Sequence, residues 1–238
     1  EERIEEFSIK MQKETEKTVV HKIKIDEMDV EYKNKGEVSG SVLNQFSMDE
    51  FEGNLRIATT TGNVWDGSGL NHLYVLNDNL EIIGSVEDLA KGERIYSARF
   101  LGEKAYLVTF KKVDPLFVID LSKPENPEVL GYLKITGYSD YLHPYDEEHI
   151  IGIGKEAIEA RSGDFAWYQG MKISLFDVSD FENPKETAKI IIGDRGTDSY
   201  ALQDHKAFLF DKKRNLLVIP VGLAEINETF WKEQNEGR

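Results

Sequence analysis

Two short stretches hold the residue types that chemistry most often uses. YLHPYDEEH, residues 141–149, sets His143, Asp146, Glu147, Glu148 and His149 within seven positions, the imidazole and carboxylate groups that bind zinc. A metal needs those side chains to converge, and the local pattern works against it. His143 precedes a proline turn, His149 opens the next strand, and no HExxH helix aligns the pair on one face. The stretch reads as a solvated turn, and no metal is expected. QDHKAFLFD, residues 203–211, sets Asp204 beside His205, with Ser199 the nearest serine for a nucleophile–base–acid relay. No G-x-S-x-G elbow accompanies them. They read as a structural hydrogen-bond network, so no catalytic residue and no cofactor is assigned.

Recognition chemistry has a better claim on two Gly-rich excursions. TTTGNVWDGSGLNH (59–72) carries Trp65 and Asp66, and AIEARSGDFAWYQG (157–170) carries Phe165, Trp167 and Tyr168. The first lacks the lysine and the following helix of a phosphate loop. Aromatic side chains on loops are enriched at binding surfaces, and these five residues are the candidate ligand-binding set.

These loops are positioned by a repeat. DLSKPENP (120–127) and DVSDFENP (177–184) agree at five of eight positions, 57 residues apart. Asp120 and Asp177 can accept from backbone N–H groups two residues on, Ser122 and Ser179 can add a second bond, and Asn126 and Asn183 precede the prolines that close the turn. Around them run two ladders of strand-like segments. One ends at Asp26, Asn77, Asp120 and Asp177, with gaps of 51, 43 and 57; the other starts at Asn54, Lys104, His149 and Asn215, with gaps of 50, 45 and 66. Segments of five to eight residues rich in Val, Ile, Tyr and Phe, bounded by Gly, Asn, Asp and Pro, are strands and turns rather than helices. Several, such as 115–119 and 105–110, are apolar on both faces, as strands of a sheet packed on both sides must be. About four short strands in roughly 50 residues is the period of a β-propeller blade.

The expected fold is therefore all-β, with about four blades at 18–62, 71–111, 115–156 and 170–222, part of a larger ring. Residues 1–17 are read as a charged excursion or cut edge with a solvated face, and 223–238 as a polar C-terminal segment. Strands near 19–26, 72–76, 116–120 and 173–177 should occupy equivalent places.

Composition narrows the partners. The net charge of −15 repels phosphate backbones and anionic lipid, which disfavours nucleic acid. With no cysteine there are no disulfides, thiolate metal sites or cysteine nucleophiles. No run reaches the roughly 18 apolar residues of a membrane span, LLVIPVGLAEI (216–226) coming nearest. Richness in Lys, Glu and Ile suits a thermophile.

LNQFSMDE (43–50), LRIATTTG (55–62), ERIYSARFLGEKAYLVTF (93–110), DPLFVIDLS (114–122), GYSDYLHPYDEEHIIGIGKE (137–156), KISLFDVSDFENPKE (172–186) and DHKAFLFDKKRNLLVIPV (204–221) resemble secreted archaeal and bacterial proteins whose C-terminal part is a β-propeller distantly related to WD40 repeats. The resemblance runs from Thr18 to Val221. It implies an extracytoplasmic propeller tied to the cell surface, and it brings no catalytic motif. Against the full-length pattern the chain looks like the middle blades alone, without leader or final segment, so its end blades, around VVHKIKI and NLLVIPV, are expected to associate. The function expected is an interaction scaffold that presents loop aromatics and acidic edges to a protein or glycan. The alternative is a hydrolase with a carboxylate site in the propeller channel.

Overall fold

The computed structural model describes residues 2–111, 114–159 and 166–225. A helix, α1 (Glu2–Thr15), leads into a hairpin, β1 (Lys17–Asp26) and β2 (Asp29–Ser39). Three four-stranded antiparallel sheets follow, each a meander: β3 (Met48–Phe51), β4 (Asn54–Thr61), β5 (Leu70–Leu76) and β6 (Ile82–Leu89); β7 (Arg94–Leu101), β8 (Lys104–Phe110), β9 (Asp114–Asp120) and β10 (Glu128–Ile135); β11 (Tyr138–Pro144), β12 (His149–Glu159), β13 (Ala166–Asp177) and β14 (Lys185–Ile192). A second hairpin, β15 (Leu209–Asp211) and β16 (Leu216–Val218), ends the described chain. No helix among the described residues is long and apolar enough to cross a membrane.

Sheets rather than helices form because the strand segments bury both faces, and each face packs on a different neighbour. In β8, Ala105 and Leu107 join a cluster with Ala58, Leu73 and Val75 of the first blade, whereas Tyr106, Val108 and Phe110 join one with Leu142, Ile150 and Phe176 of the third. Val38 of β2 packs on Ile57 and Tyr74, and Ile153 of β12 on Phe210 and Leu217 around the second hairpin. Apolar side chains on both faces of one strand thus glue three sheets in a row. Fourth strands lie at the rim: β14 has no fully buried residue, whereas every residue of β5 is buried. First strands meet on the inner side, where Ser97 Oγ donates to Ser139 O at 2.6 Å and Arg99 Nε to Leu142 O at 2.9 Å.

The all-β propeller architecture is as the sequence indicated, but the blade frame is displaced by two strands. The expected unit 18–62 splits, because β4 pairs forward with β5 from Leu55↔Leu76 to Thr61↔Leu70 and leaves β1–β2 as a sheet of its own. Units 71–111, 115–156 and 170–222 divide in the same way, since the sheets begin at Met48, Arg94 and Tyr138. A repeat fixes the period of a ladder and not its phase: any cyclic permutation of four strands leaves the gaps unchanged. Three complete blades and two hairpins result among the described residues. The stretch 1–17, read as an excursion or cut edge, is mostly α1, and residues 226–238 lie outside the described part.

The recurring turn joins third strand to fourth. Asp120 Oδ1 accepts from Ser122 N at 3.2 Å and Asp120 Oδ2 from Ser122 Oγ at 2.9 Å; Asp177 Oδ1 accepts from Ser179 N at 2.9 Å and from Ser179 Oγ at 2.6 Å. Asn126 N donates to Lys123 O and Asn183 N to Asp180 O. In the first blade Asn77 plays the same part, accepting from Asn79 N at 2.9 Å. Each turn then seats on the preceding sheet. A Cβ on Gly36 of β2 would strike Leu80, one on Gly84 of β6 would strike Pro124 and Pro127, and one on Gly131 of β10 would strike Phe181 and Glu182. These three glycines, 48 and 47 residues apart, make β2, β6 and β10 equivalent fourth strands. Strands 72–76, 116–120 and 173–177 hold third places within β5, β9 and β13. Strand 19–26 matches them as the partner of a fourth strand but turns directly through Glu27 and Met28, with Asp26 paired to Asp29.

Candidate recognition cleft

The loop 62–69 joins the second and third strands of the first blade and does not connect two blades, as the sequence suggested; residues 160–165, between β12 and β13, lie outside the described residues. The loop 62–69 and the segments that enter β3 and β7 lie on one side of the stack. There they border a cleft of about 810 Å³. Its walls come from Val42 and Leu43 before β3, Val64 and Trp65 of the loop, Arg94 to Tyr96 of β7, Phe110 at the end of β8 and Lys111 after it, and Ala166 and Tyr168 of β13.

The floor is an aromatic cluster. Tyr96 and Tyr138 lie 4.6 Å apart between ring centroids, Phe110 and Tyr138 5.0 Å, and Tyr138 and Tyr168 5.2 Å. Arg94 stacks over Tyr96 at 4.8 Å, placing a cation at the rim. Burial, with the hydrogen bond to Tyr96, raises the Tyr168 hydroxyl pKa, so the group is a neutral donor or acceptor at any physiological pH.

Trp65 is 94% exposed, yet its loop is held in place. Asn63 Oδ1 accepts from Trp65 N at 2.9 Å, Ser68 Oγ accepts from Asn63 N at 3.0 Å, and Asp66 Oδ1 accepts from both Ser68 N and Ser68 Oγ. The Ser68 side-chain bond, then the backbone one, holds the Asp66 carboxyl below the usual range. Helix α1 and the residue that follows it support the loop from outside: Gln12 Nε2 donates to Ser68 O at 3.1 Å and Glu16 Oε2 accepts from Gly62 N at 2.8 Å. Interspersed charges on α1 thus anchor as well as solvate; Lys13 pairs with Glu87 and Asp88 at 2.9 and 2.8 Å.

Of the five residues proposed from the loops, Trp65 and Tyr168 border the cleft together. Asp66 stiffens the loop that carries Trp65. Trp167 alternates with Tyr168 on β13 and lies under Arg195, 4.6 Å from the guanidinium carbon. Phe165 lies outside the described residues. Sequence reasoning missed Arg94, Tyr96, Phe110 and Tyr138. The one signal for them was the Tyr-Ser pair repeated at 96–97 and 138–139, at matching points of β7 and β11.

The residues with catalytic chemistry stay apart. His143 sits among Tyr141, Phe208 and Phe210, with burial and then Arg99 lowering its pKa, whereas His149 Nδ1 meets Asp146 Oδ1 at 2.8 Å. Among the described residues no three His, Asp or Glu side chains form a metal-ligand set. Asp204 Oδ1 accepts from Lys206 N at 2.9 Å and lies 3.8 Å from His205 Nδ1, but Ser199 Oγ donates to Pro220 O at 2.6 Å, so the serine is not turned to His205 as a relay requires.

The model of the beta propeller domain family matches residues 4–237. The chain belongs to the beta propeller domain family. Within curated proteins, this propeller chain is 46% identical over 209 residues to an uncharacterised protein of Methanocaldococcus jannaschii, covering 87% of the chain and 31% of that protein. It is 40% identical over 220 residues to an uncharacterised protein of Archaeoglobus fulgidus, covering 92% and 32%. The chain therefore spans about a third of the length of these archaeal relatives. Among solved structures the propeller resembles the acylaminoacyl peptidase of Pyrococcus horikoshii at a TM-score of 0.43 and 12% identity, over 64% of this chain and 25% of that one, a likeness too slight to bear on function.

Proposed function

We propose that this propeller is a recognition module that works outside the cytoplasm, with the cleft at Trp65 and Tyr168 receiving a protein or glycan partner. The observation that carries the reading is Trp65: a large apolar ring, almost wholly exposed, on a loop fixed by its own hydrogen bonds and by α1, beside a neutral tyrosine hydroxyl in the same cleft. A rigid aromatic anchor loses little conformational entropy on binding, which is what an interaction hot spot needs. Arg94 at the rim adds a cation in a chain that is otherwise strongly acidic. Placement outside the cytoplasm rests on the resemblance to secreted propellers, and export of the protein in its native host tests it by fractionation: recovery from the cytosol alone would refute it.

Arrays of glycans and peptides probed with the wild-type chain and Trp65→Ala test the binding reading. The reading expects retained ligands that the variant loses, by about 2 kcal/mol as for an interface anchor. Equal retention by both proteins would remove the cleft from the account.

A hydrolase with a channel carboxylate is the second reading, favoured by Asp140 alone. Burial, reinforced by Asp198 and opposed by Lys155 and Arg94, pushes its carboxyl up to about 7, the range of a general acid. Chromogenic ester, peptide and glycoside substrates, each turned over by wild type and not by Asp140→Asn, would support it.

A further inference from the structure

A second, smaller cavity of about 290 Å³ lies beside the segment that precedes β3, bordered by Asn44, Gln45, Phe46, Asp140, Tyr141, Gln203 and His205. From these residues we propose that the cavity binds a neutral, hydroxyl-rich ligand the size of one hexose ring.

The polar groups argue for hydroxyls. Among the described residues no hydrogen bond reaches the Asp140 carboxyl, although the residue is partly buried. Asn44 spends its carbonyl oxygen on Phe46 N at 2.9 Å, which leaves its amide N–H groups to donate. Gln45 Nε2 meets the His205 ring only loosely, at 3.3 Å, and Gln203 brings a further amide. Amides offer donor and acceptor a fixed distance apart, which suits vicinal hydroxyl groups that must do both.

Charge argues against the alternatives. An anion would meet a charged Asp140 above about pH 7, where that carboxyl ionises. A cation would have to join Lys155 and Arg94, which already face that carboxyl from β12 and β7, while Asp198, the other carboxylate acting on it, is tied to Lys155 at 3.0 Å. A carboxyl that holds its proton near neutral pH donates to a hydroxyl as readily as it accepts. The apolar side is supplied by Phe46, which makes an edge contact with His205 at 4.9 Å and with Tyr141 at 5.4 Å, a rigid wall for the C–H face of a sugar. The volume is at the lower end for ligand sites, about 300 to 1,000 Å³, and so fits one ring rather than a chain. The inference does not rest on the cleft at Trp65.

Saturation-transfer NMR and calorimetry with glucose, galactose and mannose, and with glucuronate and arginine as charged controls, test it on the 238-residue chain. One neutral hexose is expected to bind at about millimolar Kd. Gln203→Ala and Asp140→Ala should each weaken it by about tenfold, while Asp140→Asn, which still donates and accepts, and Trp65→Ala leave it in place. Cooperative unfolding of each variant shows that the loss is local. Binding of arginine or glucuronate in preference to every hexose, hexose binding lost in Trp65→Ala but kept in Asp140→Ala, or no binding by any probe overturns the proposal.

Discussion

Asp140 and His72 show how burial moves two ionisable groups in opposite senses, with opposite consequences for stability. His72 of β5 is fully buried, with Thr61 Oγ1 3.0 Å from its Nε2, and burial together with the field of Lys13 lowers its pKa to about 4. The unfolded chain takes up a proton near pH 6.5 that the folded chain refuses until about 4, so stability falls as pH drops through that window, by about 3 kcal/mol. His72→Gln should flatten the dependence of the thermal midpoint on pH between 6.5 and 4; an unchanged slope would contradict the burial of a neutral imidazole. Asp140 runs the other way. Its folded pKa of about 7 lies above the unfolded value, so the folded chain keeps a proton the unfolded chain releases, and the group costs stability increasingly as pH rises from 4 to 7. Asp140→Asn should raise the midpoint at pH 8 and leave it nearly unchanged at pH 4. Neither group was legible as perturbed in the sequence. His72 reads as one more residue of an alternating strand, and Asp140 as a polar residue in a turn-rich stretch, because burial comes from sheets that arrive from elsewhere in the chain.

At the scale of the element, the turn that recurs at 120–127 and 177–184 was legible, because an Asx turn is made by neighbours in sequence: an aspartate, the N–H two residues on, and a proline. What the turn is for was not legible, since it seats on a glycine that precedes it by about 40 to 50 residues and belongs to another blade. Gly84→Ala and Gly131→Ala should each destabilise by about 2 kcal/mol, the cost of overpacking against backbone that cannot withdraw. Ala188 holds the same position on β14, four residues after Pro184 as Gly131 is four after Pro127, and is exposed. Ala188→Gly should therefore cost no more than the about 0.5–1 kcal/mol of a glycine in a strand. Denaturant midpoints compare the three, and a Gly84→Ala variant as stable as wild type would break the docking account. Within the turn, Asp120 also pairs with Lys104 at 2.7 Å, a partly buried bond that Asp177 lacks. Asp120→Ala should then lower the thermal midpoint more than Asp177→Ala does.

For the whole molecule, period and class were legible and phase was not. Apolar residues on both faces of 105–110 and 115–119 announced sheets stacked on sheets, and the described residues form five in a row. The blade boundaries escaped because β4 carries no mark in its own residues of whether it pairs forward or back; the pairing is decided by the second-to-third loop that reaches β5. Stacking also leaves apolar side chains bare at the two ends, Ile25 and Val30 on the first hairpin and Leu216 and Val218 on the second. Concentration-dependent association through these hairpins is expected in sedimentation, and a monomer at every concentration would contradict it. A meander returns the end of β4 and the start of β13 to the same side, which is how Trp65 and Tyr168, more than 100 residues apart in sequence, come to border one cleft. Hydrogen exchange of the whole chain, with and without a ligand retained on the arrays, tests that convergence most directly. The account predicts new protection together at residues 62–69, 94–96 and 166–168; protection confined to the outer strands β6, β10 and β14, with the loops unchanged, would contradict it.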